Sequence, residues 1–363
     1  MRKIRYVCAQ PALRDYAWQV EVMIVNFLAK GIDPKQIDIV CCIPSQYWPV
    51  QAIAKYQGTD LNALPDDFAR LKEHYPVNFY FYQDTRPMKG NHYVSSIRPN
   101  ILKQHWKAHP ELFLDAIFYH DNDILFTRNP LDWLTEEQIN DDVNYGSNTY
   151  SYISPHYIKS KGHECFEDMC AIMQIDPSIV EANDKNSIGA QYLLKNVTYD
   201  FWDSVERDSE ALYQTMWSKI HNEIIPYENR NYNAEMMKWR RENPSIPFPK
   251  KRYTENDALQ IFCADMWALL WGLFRDGKEV RCLDSMNFAW ATDDMRKQKL
   301  EDYNILHNAG VSVSSDTQFS KNKYKTTLPY GLDLKLDINS WSHFYYCWVR
   351  KTERQSALWK REK

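Results

Sequence analysis

Two carboxylates stand two positions apart in the segment Asp121-Asn122-Asp123, between two short apolar runs. Short runs rich in β-branched and aromatic residues predict buried strands, so the carboxylates are expected at a strand end. Carboxylates this close repel each other unless a cation stands between them. Mg²⁺ and Mn²⁺ take one or two carboxylates together with substrate phosphates, so the segment predicts a divalent-cation site that could bridge a diphosphate. The alternative interpretation is a polar turn.

One histidine late in the chain is a candidate third ligand for that cation. His307 follows the apolar pair Ile305-Leu306 and precedes a turn of small residues that ends at Gly310. The pattern predicts a histidine at the end of a strand, where a neutral imidazole can bind a divalent ion. A purely structural histidine is the alternative.

Two further polar residues are candidates for the chemistry itself. Asp265 lies in the predicted helix 257–274 among apolar and aromatic neighbours, where a buried carboxylate is costly unless it is paired or functional. Burial would raise its pKa and suit it to accept a proton from a hydroxyl group. Gln191 follows Gly189 in the stretch 187–195, which we predict to contain a tight turn that opens an amphipathic segment. A helix-capping Asp265 and a solvated Gln191 are the alternatives.

Four other residues are candidates for binding a ligand near the carboxylates. Arg98, at the start of the predicted helix 96–108, and Lys89, just before it, could pair with a diphosphate. Gln10 and Asp84 fall in the loops that follow the predicted first and third strands. Surface roles for these side chains are equally consistent with the sequence.

Strands that alternate with helices position these candidates. The chain predicts strands at 4–9, 37–43 and 78–82, helices at 15–30 and 96–108, and then the strand that leads to Asp121. This alternation is typical of an α/β fold with a Rossmann-like, mainly parallel central sheet flanked by helices. Ligands of such sheets bind at the carboxyl ends of the strands, which is where the candidate loops meet.

Two later segments have no such regular pattern. Residues 205–258 combine like charges with Pro244, Pro247 and Pro249, which predicts an extended loop that could act as a lid or an acceptor-binding arm. Residues 284–291 are expected to precede a charged helix.

The Asp-x-Asp segment with its flanking strands resembles the metal-binding motif of the GT-A glycosyltransferases, which use nucleotide sugars. His307 through Gly310 is similar to the His-x-x-Gly of the family-8, glycogenin-like enzymes, although Val311-Ser312-Val313 stands where that family has Lys-Pro-Trp. The Asp265-Met266-Trp267 stretch is similar to a helix of plant peptidyl-serine galactosyltransferases.

The resemblance implies a GT-A-like fold with acceptor-side insertions and a hexosyl- or pentosyltransferase activity. Mn²⁺ or Mg²⁺ would bind Asp121, Asp123 and His307 and hold a nucleotide diphosphate sugar as donor, whose sugar pocket Gly189 would shape. Gln191 would lie near the anomeric carbon if configuration is retained, which the His-x-x-Gly likeness favours. Asp265 would be the base if configuration is inverted.

The same resemblance suggests how the chain is divided. Residues 1–311 would form one catalytic domain, with a nucleotide-sugar-binding half at 1–135 and an acceptor half at 136–311. Residues 312–363 would be a C-terminal extension that packs on this body and ends in basic residues.

Composition narrows the classes of function. The net charge is −4, so no global basic field drives nucleic-acid binding. The 8 cysteines include no Cys-x-x-Cys pair, and the chain has no predicted signal peptide or membrane helix, which together indicate a cytoplasmic protein. Two alternatives remain open: a transferase that modifies bases of phage DNA, with the 250–252 basic cluster on phosphate, and a non-catalytic nucleotide- or sugar-binding protein with this fold.

Overall fold

A computed structural model describes residues 2–43, 66–86 and 93–359. Ten strands occur in these ranges: β1 Ile4–Pro11, β2 Ile37–Ile43, β3 Asn78–Gln83, β4 Ala116–His120, β5 Ile124–Phe126, β6 Asn144–Asn148, β7 Ile188–Leu194, β8 Val280–Cys282, β9 Phe288–Trp290 and β10 Ile305–His307. The α-helices are α1 Arg14–Ala29, α2 Asp66–His74, α3 Ile97–Ala108, α4 Glu136–Asn140, α5 Tyr150–Ile153, α6 Pro155–Ser160, α7 Cys165–Met173, α8 Pro177–Ala182, α9 Tyr199–Lys219, α10 Ile225–Glu242, α11 Ala264–Arg275 and α12 Trp341–Glu353. None of the described helices is both long and apolar enough to cross a bilayer.

The central sheet has seven strands in the order β3-β2-β1-β4-β7-β6-β8. The first four run parallel, and β7 is antiparallel to both of its neighbours, β4 and β6. The predicted α/β fold with a mainly parallel sheet flanked by helices is confirmed. The carboxyl ends of β1 and β4 therefore meet at one edge, beside the first turn of α1.

A second, three-stranded sheet in the order β5-β10-β9 positions the histidine. Its strand β5 follows the Asp-x-Asp segment directly, and β10 pairs with it in antiparallel register. This register places His307 opposite Ile124, the residue after Asp123. The backbone N–H of Asn308 also donates to the carbonyl of Asp123 at 3.0 Å. Sheet pairing thus brings together residues that are far apart in sequence.

Apolar side chains fill both faces of the central sheet. Along β1, Val7 and Ala9 pack into one core, and Tyr6 and Cys8 pack into the other, as strand alternation requires. α3, α9 and α11 cover the first face, whereas α1, α12 and the small sheet cover the second. The edge that carries Asp121 therefore rests on a sheet buried on both sides.

Three local predictions were wrong. Residues 187–195 form no tight turn: Gly189 and Gln191 belong to strand β7, because β4 and β6 both pair with this segment. The segment predicted as an extended loop is helical as far as Glu242, through α9, a π-helical turn and α10. Its prolines fall after that helix, apart from Pro226 in the first turn of α10, where proline is tolerated. No α-helix follows residue 291 in the described stretch to residue 304.

The C-terminal segment is bound to α1 through a buried carboxylate. Glu21 is fully buried, and its Oε1 accepts hydrogen bonds from the Tyr75 hydroxyl at 3.1 Å and the Ala357 backbone N–H at 2.6 Å. Its Oε2 accepts from the Tyr330 hydroxyl at 2.6 Å and the Ser356 hydroxyl at 2.7 Å. Burial raises the pKa of Glu21, and these donors partly offset that rise. One side chain thus joins three parts of the chain.

Replacing Glu21 with alanine should lower the free energy of unfolding by about 3 kcal/mol, because four donors lose their acceptor in a buried place. Urea denaturation followed by circular dichroism measures the change. Glu73→Ala, at an exposed position of α2, is the matched control and should stay within about 0.5 kcal/mol of the wild type. Equal losses in the two variants would contradict a structural role for Glu21.

Candidate active site

Two carboxylates and one imidazole converge where the two sheets meet. Asp121 and Asp123 lie in the turn between β4 and β5, and His307 ends β10. The Nε2 atom of His307 is 3.4 Å from Oδ2 of Asp121 and 3.4 Å from Oδ1 of Asp123. One ligand atom from each residue lies within 4.8 Å of the other two. The structure brings together all three residues predicted as metal ligands.

The donor set of this triad fits a divalent cation. Two carboxylate oxygens and an imidazole nitrogen are ligands that Mn²⁺ and Mg²⁺ accept. Asp123 is 2% exposed and His307 is 7% exposed, so a cation there would be shielded from water on one side. The Nδ1 atom of His307 is buried without a hydrogen-bond partner in the described part of the chain, which leaves Nε2 as the nitrogen that faces the carboxylates.

A lysine that the sequence did not indicate places a positive charge against Asp123 of the triad. The ammonium group of Lys321 hydrogen-bonds to Oδ2 of Asp123. Burial alone would raise the pKa of Asp123, but Lys321 and His307 outweigh burial and hold this pKa well below its usual range. Asp123 is therefore an anion in the folded protein. Lys321 lies 198 positions after Asp123, in a segment without regular pattern.

Arg98 connects the triad to the second predicted carboxylate. Its Nη1 atom donates to Oδ1 of Asp121 at 2.9 Å and lies 3.6 Å from Oδ2 of Asp265. The first turn of α3 presents Arg98 from one side, and the first turn of α11 presents Asp265 from the other. One guanidinium thus stands between two acidic groups and fixes their separation.

Asp265 is held by a second donor. The Tyr93 hydroxyl donates to its Oδ1 at 2.6 Å, and 12% of the Asp265 side chain is exposed. Burial raises the pKa of Asp265 above its usual value, and Arg98 and Tyr93 partly offset that rise. A carboxylate with a raised pKa and an open face is suited to accept a proton. Tyr93 directly precedes a short 3₁₀ turn, Val94–Ser96, that sequence patterns do not reveal.

Two cavities meet at the triad. The first, of about 250 Å³, lies between the end of β1 and α1 and is lined by polar groups including Gln10, Tyr16, Asn122 and Lys325. The second, of about 310 Å³, is largely aromatic and includes Tyr152, Tyr192, Trp202 and Trp290 as well as Asp265. Arg98, Asp121 and Lys321 line both cavities. A ligand that spans the two would pass directly over the triad.

Trp290, an aromatic residue of the second cavity, contacts one of the candidate ligands directly. Its ring stacks on the His307 imidazole, with centroids 5.3 Å apart and planes 22° apart. Stacking restricts the rotation of the imidazole. The tryptophan belongs to β9, which pairs with β10 in parallel register and sets Trp290 beside His307.

Of the other predicted site residues, some line the two cavities and others do not. Gln10 lines the first cavity; its Nε2 donates to the Val40 carbonyl at 3.2 Å, and its Oε1 is buried without a partner among the described residues. Asp84 binds the Arg86 guanidinium at 2.8 Å and lines neither of these two cavities. Lys89 lies outside the described residues.

Gln191 and Gly189 do not line the second cavity, although Ala190 between them does. Gln191 is fully buried, its Oε1 accepts from the Ser147 hydroxyl at 2.8 Å, and it lines neither cavity. Its neighbour Ala190, with φ of +63°, does line the second cavity. Gly189 packs so closely that an added Cβ would lie 2.3 Å from the Met266 methyl carbon and 2.7 Å from the Thr149 hydroxyl.

Gly189→Ala should reduce the second cavity and destabilise the fold by about 1–3 kcal/mol, because Met266 must move toward the cavity that it lines. Thermal denaturation measures the loss of stability. Gly272→Ala is the matched control, because a Cβ added there would lie 3.4 Å from its nearest neighbouring atom, on Phe201. Gly277 is unsuitable because its φ of +66° strains any other residue. The Gly272→Ala variant should be neutral or stabilising in helix α11. A wild-type melting curve for Gly189→Ala would contradict the close packing.

Comparisons with known proteins find similar solved structures, among them two glycosyltransferases. No protein-family model and no curated protein matches this chain. The structure is similar to the apo form of the bifunctional glycosyltransferase WbbM, at a TM-score of 0.39 and 11% identity over 86% of this chain and 46% of that one. It is also similar to the galactosyltransferase LgtC in complex with donor and acceptor sugar analogues, at a TM-score of 0.40 and 12% identity over 94% of this chain and 95% of that one. This chain thus spans less than half of the WbbM chain.

Both neighbours are glycosyltransferases, the class that the Asp-x-Asp segment resembles. At this level of similarity, what the protein does has to be inferred from its own residues.

Proposed function

We propose that the protein is a glycosyltransferase that moves a sugar from a nucleotide diphosphate sugar to a hydroxyl acceptor with the help of a divalent cation. The observation that carries the proposal is the Asp121–Asp123–His307 triad at the junction of a polar and an aromatic cavity. The nucleotide would occupy the polar cavity and the sugar the aromatic one, since flat rings cover the apolar faces of sugars.

The chain's own cations would bind the diphosphate between the two cavities. Lys321 and Arg98 line both cavities and carry positive charge at their junction. A divalent cation held by Asp121, Asp123 and His307 would add charge that stabilises the diphosphate leaving group. Since Lys321 is already bound to Asp123, its ammonium is in place to turn toward a phosphate oxygen.

Asp265 would serve the acceptor. Its side chain lines the aromatic cavity, whereas Gln191 does not. In the transfer step the acceptor oxygen forms a bond to the anomeric carbon and the bond from that carbon to the phosphate oxygen breaks. The acceptor proton passes to the Asp265 carboxylate, and the nucleoside diphosphate leaves with the bonding electrons. The position of Asp265 supports the inverting alternative over a role for Gln191 at the anomeric carbon.

The decisive test incubates the protein with a panel of UDP-, GDP- and ADP-linked sugars, with Mn²⁺ and with a chelator, and measures release of the nucleoside diphosphate. We expect slow hydrolysis of one donor that the chelator abolishes. Binding of a nucleotide without turnover, even with glycan, peptide and DNA acceptors present, would instead support a non-catalytic binding protein. No binding of any donor would mean that the Asp121–Asp123 segment is only a turn.

A further inference from the structure

Helix α10 and the chain that returns from it form a projecting arm, defined here as residues 225–253. No residue of α10 is buried. The arm is held together by its own aromatic contacts: the Phe248 ring lies 5.3 Å from the Tyr232 ring and 6.3 Å from the Trp239 ring. The indole N–H of Trp239 also donates to the Ile246 carbonyl at 3.2 Å. The first turn of α10 contacts the body, where Nε2 of His163 lies 2.9 Å from Oε1 of Glu228. Further along, the helix packs on its own return segment.

The charge of the arm is opposite to that of the rest of the protein. It carries seven cations, Arg230, Lys238, Arg240, Arg241, Lys250, Lys251 and Arg252, against three carboxylates, Glu228, Glu235 and Glu242, a net charge of +4. The whole chain carries −4, so all residues outside the arm together carry −8. Such an asymmetry directs the arm, and not the body, toward an anionic surface.

Apolar side chains are exposed among these cations. Met237 is 61% exposed on α10, one residue before Lys238 and four before Arg241, and Ile246 is 56% exposed in the return segment. Phosphate groups of a nucleic acid would be bound by the cations alone and would gain nothing from Met237 and Ile246. Anionic lipid headgroups over an apolar interior use both kinds of side chain.

We propose that the arm binds the surface of an anionic lipid bilayer, with its cations on the headgroups and Met237 and Ile246 inserted among them. The return segment leads to Phe262, which is 64% exposed and lines the aromatic cavity next to Asp265. Docking of the arm would therefore hold the body that carries this cavity at the bilayer surface.

Vesicle co-sedimentation tests this proposal without any sugar donor, so its outcome is independent of the transfer reaction. The full chain is mixed with vesicles of phosphatidylcholine, or of phosphatidylcholine and phosphatidylglycerol, at low and high salt. We expect binding to the anionic vesicles only, weakening with salt. The variant Lys238→Glu, Arg241→Glu, Lys251→Glu should bind at least about 100-fold more weakly, because each basic residue contributes separately to attraction by an anionic surface.

Two further variants separate charge from insertion. Lys3→Glu, Lys35→Glu, Lys297→Glu makes the same change in net charge at exposed positions outside the arm and should bind anionic vesicles like the wild type. Met237→Gln with Ile246→Gln keeps every charge and should weaken binding several-fold at either salt concentration. Circular dichroism should be the same for all variants, since α10 has no buried residue.

Three results would overturn the proposal. They are equal binding to neutral and anionic vesicles, unchanged binding of the arm variant, and binding of the wild type to mixed-sequence DNA but to neither kind of vesicle.

Discussion

Asp123→Asn should lower turnover of the nucleotide-sugar donor by at least about 10³-fold, since the substitution keeps the shape of the side chain but removes the charge that would hold the cation. Asp123 is more buried than Asp121, and Lys321 and His307 keep it anionic in the folded protein. The affinity for Mn²⁺, measured by calorimetry, should fall in parallel. Turnover and Mn²⁺ affinity are thus expected to change together.

Asp316→Asn is the matched control for this experiment. Asp316 has a side chain that is 97% exposed and lies 3.9 Å from the Lys323 ammonium, so its loss should change neither turnover nor Mn²⁺ affinity. The melting temperature of Asp123→Asn must be recorded alongside, because Lys321 loses its charged partner. A stable Asp123→Asn protein that still binds Mn²⁺ and turns over the donor would show that the triad is not the metal site.

The second large effect is expected at Asp265. Asp265→Asn should lower kcat by about 10²- to 10⁴-fold with little change in the KM for the donor, since a general base acts only in the transition state. The wild-type enzyme should gain activity as the pH rises through the pKa of Asp265, because only the ionised form accepts a proton. This rise is the acidic limb of the pH–activity profile. Because burial raises the pKa of Asp265, the midpoint of the limb should lie above the usual aspartate range. Asp265→Asn should lose the limb.

Tyr93→Phe and Gln191→Asn test whether this role is specific. The Tyr93 hydroxyl bond lowers the pKa of Asp265, so removing the hydroxyl should move the acidic limb to higher pH while the protein remains active. Gln191→Asn should cost less than about 10-fold in kcat. NMR of the product should show an inverted anomer. A retained anomer, or a larger loss for Gln191→Asn than for Asp265→Asn, would move the catalytic role to the other residue.

The sequence could reveal those parts of the site that lie at the ends of patterned strands and helices. Asp121, Asp123 and His307 each adjoin a short apolar run, and Asp265 interrupts a strongly apolar helix, so burial and chemistry could be inferred together. Lys321 could not be found in this way, because the sequence around it has no apolar periodicity and it reaches Asp123 only through tertiary packing. Periodicity carries no information about such a contact.

Two of the wrong predictions have separate physical causes. Gly189 and the residues after it have the composition of a turn, but pairing with β6, and from Tyr192 onward with β4 as well, holds them in β7. The positive φ of Ala190 accommodates the irregular register there. Near Glu242, local charge and proline content pointed to a loop, yet α10 forms because those prolines lie just beyond its end. At β7, pairing with neighbouring strands overrides local preference, whereas α10 simply ends before the prolines that indicated a loop.

The buried Glu21 carboxylate has a consequence for the synthesis of the protein on the ribosome. Two of its donors, Ser356 and Ala357, are translated 335 and 336 residues after it. During that interval the Glu21 carboxylate lacks these two donors, although Tyr75 and the strands that α1 covers have long been made. Contacts so distant in sequence form late and slowly. The nascent chain is therefore expected to stay partly open until Ser356 and Ala357 have left the exit tunnel, and to depend on chaperones that protect its apolar sheet face meanwhile.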